Sequence, residues 1–410
     1  MNSPNSNKSN KLMHGLPEEV KFCRRCVVSN QRPSSTVEFK NDSLKKETIE
    51  FDKDGVCSAC AYHDLKYKEI NWDQRENELL TLLEKYRSPN REFDVIVPGS
   101  GGKDSFYISH ILKNKYGMTP LTVTWPPHMY TDIGRKNFDA WLQSGFSNIT
   151  YSPNQDFHRK LTKAAFENLC HPFQPFILGQ KQVGVKIAKA MGIDLVFYGE
   201  SQAEGGTNIR EGMQPMMLPK YFTAPSNEIK RLPLGGVTVE EWLQQGFTLA
   251  DLDPYIPTDA DQFRSAGIEV HYLGYYHCWR PQDHYYYAVE NGNFNPNPER
   301  TEGTYSKYAS LDDKIDGFHY YTTYIKFGIG RATYDAAQEI RNGHLTREEG
   351  VRLVHKYDGE FPKRYMAEFL EYCDLTMDKF NRIIDENRSP NLWEKADQEH
   401  SRWELKHKVW

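Results

Sequence analysis

The sequence predicts an α/β fold: a parallel β-sheet covered by helices on both faces, with a small cysteine module ahead of it and helices behind. Three observations carry this reading. Across residues 93–200, short apolar runs alternate with amphipathic stretches of helical period, and βαβα alternation builds a parallel sheet buried on both sides. Two Cys-x-x-Cys pairs lie upstream in a polar segment with little periodicity, which cannot bury a core and folds around a metal instead. Downstream, REEGVRLVHKYDG and RYMAEFLEYC read as helices.

The elements follow in order. Residues 1–20 form a polar tail, expected to be disordered, with no apolar core of a signal peptide. Residues 21–70 are the cysteine module. DQRENELLTLLEKYR (73–87) is a connecting helix. FDVIVP is a strand and SFYISHILKNKYG a helix ending at Gly117. PLTVTW is a strand, IGRKNFDAWLQSGF a helix and NITYS a short strand, followed by helical 157–170 and 177–191. DLVFYGE (194–200) is the fourth strand, and IEVHYLGYY (268–276) supplies a last one. Between them, about residues 201–265, lies an insertion rich in Gly, Pro and acidic residues, and long segments of this kind are often functional. The main domain is expected over 71–345, with a helical region and tail over 346–410 that holds Trp393, Trp403 and Trp410.

Composition narrows the class. Hydrophobic residues are 38% and charged residues 26% of 410, ordinary for a globular chain with a well-buried core. No run of about 18 apolar residues occurs, so no membrane span is expected. A net charge of −5 argues against a large nucleic-acid footprint, which needs a basic surface. Together these point to the cytoplasm.

Cys23-x-x-Cys26 and Cys57-x-x-Cys60 each put two thiolates on one side of a tetrahedral ion, and the two knuckles close its shell. A closed four-cysteine site leaves no place for water, so structural Zn²⁺ is expected, with an iron–sulfur centre or a redox dithiol as the alternatives. Cys170, Cys278 and Cys373 are scattered and read as small core residues.

Ser100-Gly101-Gly102-Lys103-Asp104-Ser105 lies between the first strand and the helix after it. Successive glycines permit positive φ and remove side chains, so backbone N–H groups can converge on one anion. The helix adds its own N–H groups and the positive end of its dipole. A Walker A loop is excluded: Asp104 follows Gly102-Lys103, and Val97 stands where the earlier glycine belongs. SGGKDS instead resembles the pyrophosphate loop of the N-type ATP pyrophosphatases, the PP-loop family. That resemblance implies a Rossmann-like sheet of the adenine-nucleotide α-hydrolase type, with ATP bound by Ser100–Ser105 and cleaved between its α and β phosphates. It implies Mg²⁺ held with the help of Asp104 and charge supplied by Lys103. It also places adenine near Val97–Gly99 and Val123–Trp125, making Val97 and Trp125 nucleotide-binding candidates.

Other candidates each have a bland reading. Glu200 follows the fourth strand at the ligand-binding edge; it can bind metal or substrate, or cap the next segment. Lys326 and Arg331 flank Gly328 and Gly330 in IKFGIGR, which suits closing over phosphate or a salt-bridged helix end. Trp279 and Arg280, after His277, suit stacking on a base and pairing with a phosphate, or simple core packing.

The cysteine unit with DGVCSAC, the loop, Tyr198-Gly199-Glu200, YLGYYHCW, and FHYYTTYIKFGIGRATYDAAQEIRNGHLTREEGVRLVHKYDGEFP together resemble the N-acetyl sugar amidotransferases. The resemblance runs from about residue 22 to 370. It implies an enzyme that adenylylates the acetamido oxygen of an N-acetylated, nucleotide-linked sugar and replaces it with ammonia, making acetamidino sugars for lipopolysaccharide or nonulosonate glycans. It also implies a class I glutaminase partner that supplies the ammonia. In keeping with that, residue 2 is Asn rather than Cys and no Gly-x-Cys-x-Gly elbow occurs. The runner-up is a PP-loop tRNA thiolase, for which Cys170 and Cys278 are the candidate cysteines.

Overall fold

Five strands form one parallel sheet: β1 (Val95–Pro98), β2 (Pro120–Thr124), β3 (Ser147–Thr150), β4 (Leu195–Tyr198) and β5 (Glu269–Tyr272), in the order β3-β2-β1-β4-β5. The computed structural model describes residues 13–34, 45–87, 92–206, 209–397 and 402–410. β1 is central and wholly buried, as an apolar run covered on both faces must be. Its side chains alternate: Val95 and Val97 join Leu79, Leu83 and Ile108 on one face, while Ile96 joins Leu121, Leu161 and Val185 on the other. β3 lies at the edge and is the least buried of the five.

The helices that frame this sheet are α1 (Ser58–Lys68), α2 (Trp72–Tyr86), α3 (Lys103–Asn114), α4 (Asp132–Gln143), α5 (Gln155–Leu169), α6 (Gln174–Met191) and α7 (Pro281–Gly292). Then come α8 (Asp316–Phe327), α9 (Arg331–Arg341), α10 (Arg347–Tyr357), α11 (Met366–Tyr372) and α12 (Met377–Glu386). The α/β class expected from the sequence is the class observed. Among the described residues no helix is long and apolar enough to cross a membrane.

The structure adds local detail to these expectations. The last run, 268–276, is a strand only to Tyr272; Leu273–Tyr276 turns helical as Gly274 N donates to Gly199 O at 2.9 Å. The 201–265 insertion is built of short helical turns and two-residue strands, anchored by buried Trp242, Leu252, Tyr255 and Phe263. The charged tail folds into an antiparallel hairpin, β6 (Trp393–Asp397) with β7 (Arg402–Leu405), and Trp393 Nε1 donates to Ile325 O at 2.7 Å. Of the expected loose tail, residues 1–12 lie outside the described residues. His14 and Leu16 are buried, and His14 Nε2 reaches Asn387 O at 2.9 Å, so apolar and polar contacts anchor the expected tail at these two residues.

Candidate active site

The strand order decides where the site sits. The chain runs β1 to β2 to β3 in one direction, then returns to the other side of β1 for β4 and β5. In such sheets ligands bind beyond the carboxyl ends of the strands, at the reversal point. That point lies between β1 and β4. Residues 99–102 leave one strand there and Gly199-Glu200 leave the other.

The loop needs its glycines. A Cβ at Gly99 would lie 2.2 Å from Ser105 Cβ, and one at Gly101, where φ is +85°, would lie 2.6 Å from Phe138 Cα. Gly102 starts α3 without a side-chain cap, and Ser105 Oγ donates to Gly102 O at 2.9 Å. Ser100 hydrogen-bonds Asp312. The turn therefore presents backbone and a helix start, the elements an anion needs.

Behind the turn, Asp104 pairs with Lys103 and accepts from His284 Nδ1 at 2.9 Å. Burial pushes the Asp104 carboxyl up, but Lys103 and His284 outweigh it and hold Asp104 below the ordinary range. His284 is itself pushed down, chiefly by burial; it stacks on Tyr107 and abuts Trp279, each with centroids 4.1 Å apart. An ionised carboxylate beside a glycine turn fits a magnesium-bound polyphosphate.

Glu200 opens into a cavity of about 1050 Å³. Its side chain is exposed to solvent, and the surrounding protein raises its pKa: desolvation of its charge first, then the charges of Asp104 and Glu204, against Lys103 and Arg32. Glu200 therefore shares one electrostatic neighbourhood with the loop. Lys326 lines the same cavity and donates from Nζ to Leu169 O at 2.8 Å. Arg331 instead pairs with Asp335 at 3.0 Å and with the Tyr320 hydroxyl. Burial disfavours its charge, but Asp335, Tyr320 and Asp316 more than restore it. The glycines between these cations serve the α8–α9 corner: Gly328 has φ +67°, and a Cβ on Gly330 would strike Asp358 at 2.6 Å.

The Val97 and Trp125 side chains are buried at 0% and 3% exposure, and Trp125 fills the space Gly179 leaves open. Their side chains are core, so only their backbone lies at the sheet edge. Trp279, at 1% exposure, is likewise core and cannot stack on a ligand. His277 accepts from the Tyr107 hydroxyl at 3.2 Å and donates to the Tyr116 oxygen at 2.6 Å, and burial pushes its pKa down to about 4. Arg280 donates to the Tyr67 hydroxyl.

His284, Asp312, Asp316 and Arg32 escaped the sequence reading. Asp312 and Asp316 sit in the acidic run LDDKID, the one signal available. Burial first, helped by neighbouring carboxylates, raises Asp316 to about 7. Arg32, just past the first cysteine knuckle, lies 4.6 Å over the Tyr334 ring at the cavity wall.

The four module cysteines converge. Their Sγ atoms all lie within 4.8 Å of one another, with Cys23–Cys60 at 3.9 Å and Cys26–Cys57 at 3.7 Å. A tetrahedral ion with metal–sulfur bonds of about 2.3 Å sets thiolates about 3.8 Å apart. The amide N–H groups of Arg25, Cys26 and Cys57 point at Cys23 Sγ at 3.3–3.5 Å, as for a thiolate. The set fits one metal ion.

Residues 302–409 match the family model described as LPS biosynthesis protein WbpG-like, C-terminal domain. No curated protein matches the chain. Among solved structures, the U34-tRNA thiolase NcsA from Methanococcus maripaludis, with its 4Fe-4S cluster, is 13% identical. That likeness covers 75% of this chain and 88% of the thiolase, and its TM-score of 0.27 is too low to bear on fold or function.

Proposed function

We propose that the chain is an ATP-dependent amidotransferase that converts the acetamido group of an N-acetylated, nucleotide-linked sugar to an acetamidino group. The observation that carries this is the meeting of the glycine loop and Glu200 at one reversal point, with Glu200 lining a cavity large enough for such a sugar. The match of residues 302–409 to a lipopolysaccharide-biosynthesis domain supports a surface-glycan sugar as the acceptor.

The acetamido oxygen bonds to the α-phosphorus of ATP, and the α–β bridging P–O bond breaks. Pyrophosphate leaves into the Gly99–Ser105 turn, where backbone and helix dipole favour negative charge. Ammonia adds to the activated carbon, the C–O bond breaks, and AMP departs with the oxygen. One proton leaves the incoming nitrogen, and Glu200, its basicity raised by desolvation and by Asp104, is placed to accept it. Mg²⁺ would be held by Asp104 and would offset the charge of the polyphosphate. Cys23, Cys26, Cys57 and Cys60 would hold a structural Zn²⁺, a reading supported by Sγ separations of 3.9 Å for Cys23–Cys60 and 3.7 Å for Cys26–Cys57, which suit one tetrahedral ion. Ammonia comes from a class I glutaminase partner.

The test incubates the protein with ATP, Mg²⁺, ammonium and a panel of nucleotide-linked N-acetyl sugars. Pyrophosphate release with AMP, and a product in which NH replaces O, is the expected result; ADP as the spent nucleotide overturns the proposal. Turnover of glutamine by the purified chain alone removes the partner. A PP-loop tRNA thiolase is the second reading. Cys170, at the cavity wall, is the observation in its favour, and full activity with Cys170→Ser and Cys278→Ser combined removes it.

A further inference from the structure

Gln182 of α6 is a buried amide with an unpaired oxygen. Its side chain is 2% exposed, and among the described residues nothing donates a hydrogen bond to its Oε1. A shielded acceptor left unpaired is costly and calls for a reason. Gln182 lines the cavity of about 1050 Å³ that also holds Glu200, so a group bound there is the partner within reach.

Two contacts set this amide beside the reversal point of the sheet. The Tyr198 hydroxyl, at the end of β4, donates to Gln180 O and Lys181 O at 3.2 and 3.3 Å. A Cβ on Gly184 would lie 2.6 Å from Pro98 Cγ, at the end of β1, and 3.1 Å from the Tyr198 hydroxyl. The turn of α6 that carries Gln182 is therefore pinned across the carboxyl ends of β1 and β4, where Glu200 leaves the sheet.

The reaction says which donor suits an acceptor at this place. The acetamido oxygen has to stay free to attack ATP. In a trans amide the N–H points away from that oxygen, so the group can be held by its N–H alone. An oxygen that accepts this N–H pushes electron density toward the acetamido oxygen. The N–H grows more acidic as the oxygen bonds to phosphorus, so the hydrogen bond strengthens in the transition state. A neutral amide oxygen accepts the hydrogen and leaves it on its nitrogen. We propose that Gln182 Oε1 accepts from the acetamido N–H of the acceptor, and so both selects N-acetylated sugars and leaves the acetamido oxygen free for the nucleotide. This rests on the amidotransferase reading and gives its acceptor a specificity-determining residue.

Gln182→Met keeps the length of the side chain and removes the amide. Melting of the ligand-free chain comes first. Removing an unpaired acceptor is expected to leave the melting temperature equal or higher; a clear fall shows that the amide is paired inside the chain and overturns the proposal. Calorimetry follows on the full chain filled with Mg²⁺ and α,β-methylene-ATP, which cannot be cleaved between α and β. The probes are UDP-N-acetylglucosamine and UDP-2-deoxy-2-fluoroglucose, in which fluorine replaces the acetamido group and donates nothing. The parent is expected to favour the first. Gln182→Met is expected to weaken the first about tenfold and to leave the second and the ATP analogue unchanged. Equal affinities in the parent, or an N-acetyl preference that the variant keeps, overturn the proposal while the amidotransferase reading stands. Weaker binding of the ATP analogue to the variant assigns the amide to the adenine amino group and also overturns it. If the parent binds neither sugar nucleotide at millimolar concentration, the amidotransferase reading falls and this inference with it.

Discussion

At Gly101 the backbone takes φ +85°, and an added methyl group would meet Phe138 Cα at 2.6 Å. Neither problem can be relieved by a side-chain rotation, because the obstacle is the backbone of α4. Gly101→Ala is therefore expected to cost at least about 1–2 kcal/mol of stability and to abolish ATP binding, read by thermal melting and calorimetry. A stable variant with normal affinity would show that the turn does not hold phosphate. Glu200 makes a separate claim. Its pKa is raised, first by desolvation and then by Asp104 and Glu204. If its carboxylate accepts a proton during turnover, activity falls as pH drops through that raised value. The acid limb of the rate profile then lies above the ordinary glutamate range. In Glu200→Gln the limb disappears and the rate drops by about 10²-fold or more, the usual size of a general-base contribution. A limb that survives in the variant belongs to another group.

Helix α9 shows how one element links the cysteine module to the cavity. Asp358, at the end of α10, accepts from Gly330 N and Thr333 N, each at 3.1 Å, and so satisfies the start of α9 from outside its own sequence. Burial raises Asp358 from 3.8 to about 6, despite those hydrogen bonds. Between those values the folded chain holds a proton that the unfolded chain loses, so this group makes stability fall as pH rises through the window. Asp358→Asn keeps an acceptor and removes the titration. The difference in melting temperature between parent and variant should change with pH from about 4 to 6 and be flat above it; a flat difference throughout refutes the assignment. Elements of this kind mark what the sequence could yield. Strands β1, β2 and β4 were legible as short apolar runs, and helix α3 by its helical period. Glu200 was legible because it follows a strand. His284 was not: it meets Asp104 across 180 residues, and no local pattern encodes that pairing. The β6–β7 hairpin was hidden because a charged strand gives no alternating signal; its stability comes from Trp393 packing against α8.

Over the whole molecule the cysteine module and the C-terminal segment form one core. Cys23, Cys26, Cys57 and Cys60 cluster with Ile329, Ala336, Ala337, Val354 and Val409. Two buried cations reinforce the joint. Arg341 lies near three of the thiolates and donates to Glu204 O at 3.3 Å, and Lys66 Nζ binds Glu204 Oε1 at 2.6 Å. Removing a metal from the thiolates would leave mutually repelling charges in the centre of this core. The effect should therefore not stop at residue 60. Chelation is expected to lower the melting temperature and to raise hydrogen exchange at Ile329, Ala336, Ala337 and Val409 together with the module, while β1 and β2 stay protected by the sheet. One metal ion per chain, measured by elemental analysis, should account for the loss, and its return should restore protection. If exchange rises only within residues 21–60, the module is a separate appendage. In that case Arg32 reaches the cavity wall without help from the metal, and the link from cysteine site to acceptor pocket fails.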